Sequence, residues 1–288
     1  MGTLRLFGLI ASLLVLTAMA SPWVAWGAAW LAGGEFTFAR VYDRVFEVLL
    51  VVGVAVAWRR LDLGTASELG FRRRGWGREL GRGLGGALLG LAVGFAACAL
   101  AGALVPALRF SPLKTVWKAL LGCGAAAAIA VGEEALFRGV LLRRLRRDAG
   151  DVLAVAATTA IYAAVHVIRS RGGAAGPLHA WSGVAQTLST FGPFAEGAVL
   201  PQLAGLALLG VLLALARLRS GALWLPIGLH AGFVAAFRVG RLFVDLAPTP
   251  AWLVGPGWPP LIGGMAGWLA IAVAAGVTLP RRPVSAAR

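Results

Sequence analysis

The hydrophobic positions of this chain fall into long unbroken blocks rather than alternating or one-sided stripes. The blocks are about 6–32, 42–58, 83–106, 115–138, 152–168, 198–217, 222–244 and 259–279. Each is near the length at which an α-helix crosses about 30 Å of hydrocarbon, roughly 20 residues. In lipid every backbone N–H and C=O must be satisfied within the segment itself, so such blocks predict helices. The expected fold is all-α: a polytopic transmembrane helical bundle of about eight spans. Between the blocks, the basic stretch Arg59–Arg82 reads as an interfacial connector anchored to lipid headgroups, and Gly172–Gly197 as a Gly-rich loop. Pro280–Arg288 is a short polar tail, and no internal repeat is evident. The first block also admits a signal-peptide reading, with Arg5, an apolar run and Ala18-Met19-Ala20 before Ser21. Its apolar stretch, however, continues past Pro22 to Leu31.

Composition agrees with a membrane protein. The 288 residues are 59% hydrophobic and 14% charged, with a mean hydropathy of +0.81. A soluble domain carries about 45–50% apolar and about 25% charged residues. So apolar a chain also cannot stay solvated as a disordered one. The net charge of +15 comes almost wholly from arginine. No soluble module gathers these cations, so nucleic acid is not an expected partner; the lipid bilayer is. With the N-terminus inside, 17 of the 27 basic residues collect on the cytoplasmic side, in runs such as Arg72–Arg74 and Arg143–Arg147. Nine, including Arg109, Lys114, Lys118, Arg238 and Arg241, fall opposite, and Arg138 lies within a span. This bias predicts cytoplasmic termini for a multi-pass protein of the cell (inner) membrane. Cys98 and Cys123, each in an apolar run, read as small buried hydrophobes rather than a disulfide or metal pair.

An ionisable group in hydrocarbon costs about 2.5–3.5 kcal/mol on insertion scales, so each one needs a partner or a role. Glu133, Glu134 and Arg138 share one block. Glu134 and Arg138 are four apart, on one helical face, with the acid N-terminal to the base. Glu133 is turned about 100° from Glu134 and is left for chemistry. His166 follows Tyr162 by one turn, and His230 lies mid-block in Gly228-Leu229-His230-Ala231-Gly232. Asp148-Ala149-Gly150-Asp151 is the turn signal midway between Glu133 and His166. Folding there makes an antiparallel helix pair with both residues about 24 Å from the turn, hence facing each other. Glu133, His166 and His230 therefore suggest one polar cavity, whereas His179, in the Gly-rich loop, is given no catalytic part.

These residues resemble the CPBP family of intramembrane proteases, the CAAX prenyl endopeptidase and bacteriocin-processing group also called the Abi family. The family's Glu-Glu-x-x-x-Arg motif is matched by Glu133, Glu134 and Arg138, followed by Gly139. Its aromatic-x-x-x-His motif is matched by Tyr162 and His166, and its last motif by residues 220–231, which contain His230. The likeness covers about residues 115–235. It implies a catalytic core over 115–245, preceded by N-terminal spans with the basic connector (1–114) and followed by a last span and tail (246–288). One position departs: the family's Asn four residues after the last His is Val234 here.

The resemblance implies hydrolysis of a peptide bond in a membrane-anchored peptide or protein. Glu133 would activate water, His166 would share that water and protonate the leaving amine, and His230 would donate to the oxyanion. Glu134, Arg138 and Tyr162 would support them, and Val234 would line the same cavity. The family is often labelled a metalloprotease, and Glu133, His166 and His230 form a possible zinc-type ligand set. The strong His-Glu-x-x-His zinc signature is absent, so the metal stays open. Two other functions stay open: a catalytically weakened scaffold or immunity-type protein, suggested by Val234, and a transporter. The latter lacks a visible inverted pair of broken helices.

Overall fold

A computed structural model of the chain describes residues 2–32, 37–61, 63–168, 177–197, 199–256 and 261–279. Each apolar block carries a helix, and shorter helices stand between the blocks. In chain order these are α1 (Gly2–Ala32), α2 (Phe38–Ala57), α3 (Ala66–Leu69), α4 (Trp76–Leu100) and α5 (Pro112–Glu134). A π-helical turn, Ala135–Leu141, joins α5 to α6 (Leu142–Val167). Then follow α7 (Ser182–Ser189), α8 (Val199–Ser220), α9 (Trp224–Gly240), α10 (Ala251–Val254) and α11 (Met265–Thr278). Four stretches are long and apolar enough to cross a membrane: Leu4–Leu31, Trp76–Leu100, Pro112–Val167 and Val199–Ser220. The third, at 56 residues, is long enough for two crossings. The chain is thus a helical, multi-pass protein.

Two compact units are formed, residues 1–64 with 166–197, and residues 65–165 with 198–288. In the first, α1 runs unbroken through Pro22 and packs against α2 and α7. A Cβ on Gly183 would stand 1.9 Å from the Ala18 carbonyl oxygen, so α7 meets α1 backbone to backbone. The hydroxyls of Tyr42 and Thr187 are hydrogen-bonded at 2.6 Å. Part of the expected loop Gly172–Gly197 is therefore helix; residues 169–176 lie outside the described residues.

The second unit is organised around glycine-lined helix contacts. Without a hydrophobic force between helices in lipid, close backbone packing through small residues supplies the attraction. α4 contacts α9 through Gly83 and Ala87, facing Gly228 and Gly232, and contacts α11 through Gly86, Gly90 and Gly94. A Cβ on Gly228 would lie 2.2 Å from the Leu80 carbonyl oxygen, and one on Gly90 would lie 2.2 Å from that of Ala270. On α9, His230 is two residues from each of Gly228 and Gly232, about 200° round the helix. The glycine face thus turns the histidine away from α4.

Three details differ from the sequence reading. The blocks 83–106 and 222–244 do not end as helix: strands β1 (Leu104–Pro106) and β2 (Val244–Leu246) pair antiparallel, Val105 opposite Asp245. Gly102 stops α4 in a left-handed conformation (φ 69°), with Ala103 N–H donating to Cys98 O and Gly102 N–H to Ala99 O. This is a Schellman end, which glycine accommodates without steric cost. The connector Arg59–Arg82 is more than a headgroup anchor. A capping box of Thr65 and Glu68 starts α3, the Leu223 N–H donates to Gly70 O, and Phe71 stacks edge-on with Trp224 at 5.5 Å. Finally, both cysteines are free, but Cys123 is exposed on the outward face of α5 rather than buried.

Gly228→Ala is expected to cost about 1–3 kcal/mol, because the added methyl meets backbone that cannot rotate away. Gly81→Ala meets open space, so it should leave stability unchanged or slightly raised. Thermal midpoints of the two variants in one detergent check the contrast.

Candidate active site

The polar centre of the second unit is built by α5, the π turn, α6, α8 and α9. Glu134 closes α5 and Arg138 lies in the π turn, with side chains 0% and 1% exposed. Arg138 Nη1 donates to Glu134 Oε1 at 3.0 Å, and Nη2 donates to the Gly210 carbonyl of α8 at 3.2 Å. The guanidinium carbon lies 4.5 Å from the Tyr162 ring centroid. A bare Gly210 lets α8 come this near, since a Cβ there would lie 3.3 Å from Tyr162 Cδ1. The expected pairing of Glu134 with Arg138 is thus present.

The same carboxylate oxygen has a second partner. His230, buried on α9, places Nδ1 2.9 Å from Glu134 Oε1. The carboxylate accepts, so Nδ1 carries the hydrogen and Nε2 is turned towards Glu133, whose Oε2 lies 3.8 Å away. Glu133 follows the helical turn away from Glu134, and its side chain is 31% exposed. The sequence reading missed the Glu134–His230 link, for it assigned Glu134 to Arg138 alone.

α6 forms the return leg. The helix breaks at Gly150 (φ 79°, ψ 174°), where the turn signal stands, and Arg146 is paired with Asp151 across it. Phe137, 13 residues before the break, meets Tyr162, 12 residues after it, edge-to-face at 5.4 Å. The legs are therefore antiparallel. Tyr162 is buried and its ring lies 6.2 Å from that of His230. One turn further, His166 stands on the same face of α6. The division between the compact units falls between Val165 and His166, but α6 runs without a break from Asp151 to Val167 and carries His166 with Tyr162. One ligand atom each from Glu133, His166 and His230 lie within 4.8 Å of one another. Two imidazoles and a carboxylate match a catalytic zinc donor set, and Glu134 on the far nitrogen of His230 is the outer-shell carboxylate such histidines usually have. The three residues could therefore hold a divalent metal.

Val234, half-buried, sits one turn beyond His230 on α9. The backbone N–H of His179 donates to Ser182 Oγ at the start of α7. The π turn is the main feature without a sequence signal. Single π turns inside α-helices occur often at functional sites.

With this geometry established, comparison with known proteins adds one match. Residues 112–236 match the family model described as type II CAAX prenyl endopeptidase Rce1-like. No curated protein and no solved structure matches the chain.

Arg138→Ala would leave Glu134 buried beside His230 without its cation. Removing one partner of a buried pair costs about 3–5 kcal/mol. A large fall in thermal midpoint and in monodisperse yield is expected, measured against wild type in the same detergent.

Proposed function

We propose, from the match of residues 112–236 to the type II CAAX prenyl endopeptidase Rce1-like model, that the protein is an intramembrane endopeptidase. It hydrolyses a peptide bond of a membrane-anchored peptide or protein at the Glu133, His166 and His230 centre. The observation that carries this reading is the convergence of those three side chains beside the buried Glu134–Arg138 pair.

In the proposed mechanism Glu133 takes a proton from water, which attacks the scissile carbonyl carbon. A positioned carboxylate is an effective general base, and such proton transfer contributes about 10²–10⁴ in rate. His166 shares the water, takes that proton from Glu133 and gives it to the leaving amine as the C–N bond breaks. His230 gives Nδ1–H to Glu134 and so turns Nε2 towards the oxyanion. Glu134 and Arg138 are positioning residues, since they act on His230 rather than on substrate. Glu133, His166 and His230 would hold a divalent metal such as zinc, which when bound supplies Lewis-acid polarisation of the carbonyl. The basic asymmetry along the chain supports about eight spans with both termini cytoplasmic, in the cell (inner) membrane.

Val234 favours a second reading, a catalytically weakened member acting as a scaffold or immunity-type protein. A valine offers no hydrogen bond where the resemblance expects an amide, leaving His230 as a single donor.

Turnover of a membrane-tethered peptide by purified protein tests both readings. Glu133→Gln should lower the rate by about 10²–10⁴ without lowering the thermal midpoint, because Glu133 lies outside the buried pair. Equal cleavage by wild type and variant would exclude the proposed base. Val234→Asn should raise turnover, by up to about 10²–10³ if a second oxyanion donor is restored. A folded Val234→Asn with no gain would show that the missing amide does not limit the rate.

A further inference from the structure

Towards their other ends α5 and α9 frame a cleft of about 680 Å³. By helical rise, Lys118 is about 22 Å along α5 from Glu133, and Arg238 about 12 Å along α9 from His230. Arg109, Lys118, Arg238 and Arg241 line the cleft, and no acid does. The ammonium groups of Lys114 and Lys118 stand over the ring of Phe110, at 5.1 and 4.7 Å from its centroid. Of the four lining cations, Arg109 is paired with Asp245.

Helix electrostatics does not call for the two lysines. Lys114 and Lys118 lie in the first two turns of α5, where the positive end of the helix dipole disfavours them. In the topology proposed above they also lie on the side that the positive-inside bias depletes. The apolar surface beside them identifies what they face. Leu113 and Trp117, on the same turns of α5, are 82% and 61% exposed, and the cleft wall is completed by Leu121 and Phe237. A ligand that meets both features carries an anionic head on apolar chains.

We infer that this cleft binds the headgroup of an anionic phospholipid. The phosphate is held between Lys118 and Arg238, and the acyl chains lie along the exposed face of α5. The site goes beyond the proteolytic reading and does not depend on it.

The test uses the full-length protein, delipidated in neutral detergent, with bound lipid counted by native mass spectrometry. The probes are a short-chain phosphatidylglycerol, the phosphatidylcholine with the same chains, and glycerol 3-phosphate. Phosphatidylglycerol should bind saturably and more tightly than the other two. A basic residue at an anionic headgroup contributes about fivefold in affinity, so Lys118→Gln/Arg238→Gln should weaken binding about twenty- to thirtyfold. The charge-preserving Lys118→Arg/Arg238→Lys should retain it, as should Arg59→Gln/Arg60→Gln, which removes the same charge elsewhere. Equal binding of phosphatidylcholine, or unchanged binding by Lys118→Gln/Arg238→Gln, would overturn the site. Glycerol 3-phosphate binding as tightly as phosphatidylglycerol would assign the cleft to a free phosphate and overturn the lipid.

Discussion

A carboxylate buried among apolar helices must be neutralised where it stands, and in this chain that constraint falls on Glu134. One of its oxygens accepts from both Arg138 and His230. Arg138 extends the network to the Gly210 carbonyl of α8 and lies against Tyr162 of α6. α5, the π turn, α6, α8 and α9 therefore meet at one charged point. Such a cluster stabilises the fold only while every member is in place, because a charge left alone costs more than the pair contributes.

The surrounding packing serves this point. Gly228 and Gly232 carry α9 onto α4 at backbone contact and turn His230 to the opposite side. Gly210 lets α8 approach the Thr159 and Tyr162 side chains of α6, with its carbonyl within reach of Arg138. Once His230 Nδ1 is committed to Glu134, only Nε2 is left for chemistry. As a lone pair it would face a metal; as N–H it would face an oxyanion. The same orientation thus serves either form of peptide hydrolysis, and the protonation of one nitrogen distinguishes them.

Much of this was legible in the chain because local rules governed it. The spacing of Glu134 and Arg138 announced an i,i+4 pair, and Asp148–Asp151 announced the break found at Gly150. Block length in apolar residues found each long helix. What escaped was set by tertiary contact. The π turn has no compositional mark, and Glu134's second partner lies 96 residues away on another helix. β1 and β2 are three-residue strands at the ends of apolar blocks, hidden by the hydropathy that surrounds them. Gly102 and the Gly228-x-x-x-Gly232 spacing were visible signals of a helix end and a close helix contact, and both went unread. The cations at the far ends of α5 and α9 served only as topology markers until the fold brought them into one cleft.

The central claim, that Glu134 and Arg138 matter to function by orienting His230, is tested most directly by removing both at once. Replacing a buried ion pair with apolar residues of similar volume is often neutral for stability. Glu134→Leu/Arg138→Met should therefore fold with a thermal midpoint near that of wild type. Its turnover of a membrane-tethered peptide should fall about 10–100-fold, the usual effect of losing an outer-shell partner of an active-site histidine. A folded double variant that cleaves at the wild-type rate would contradict the account.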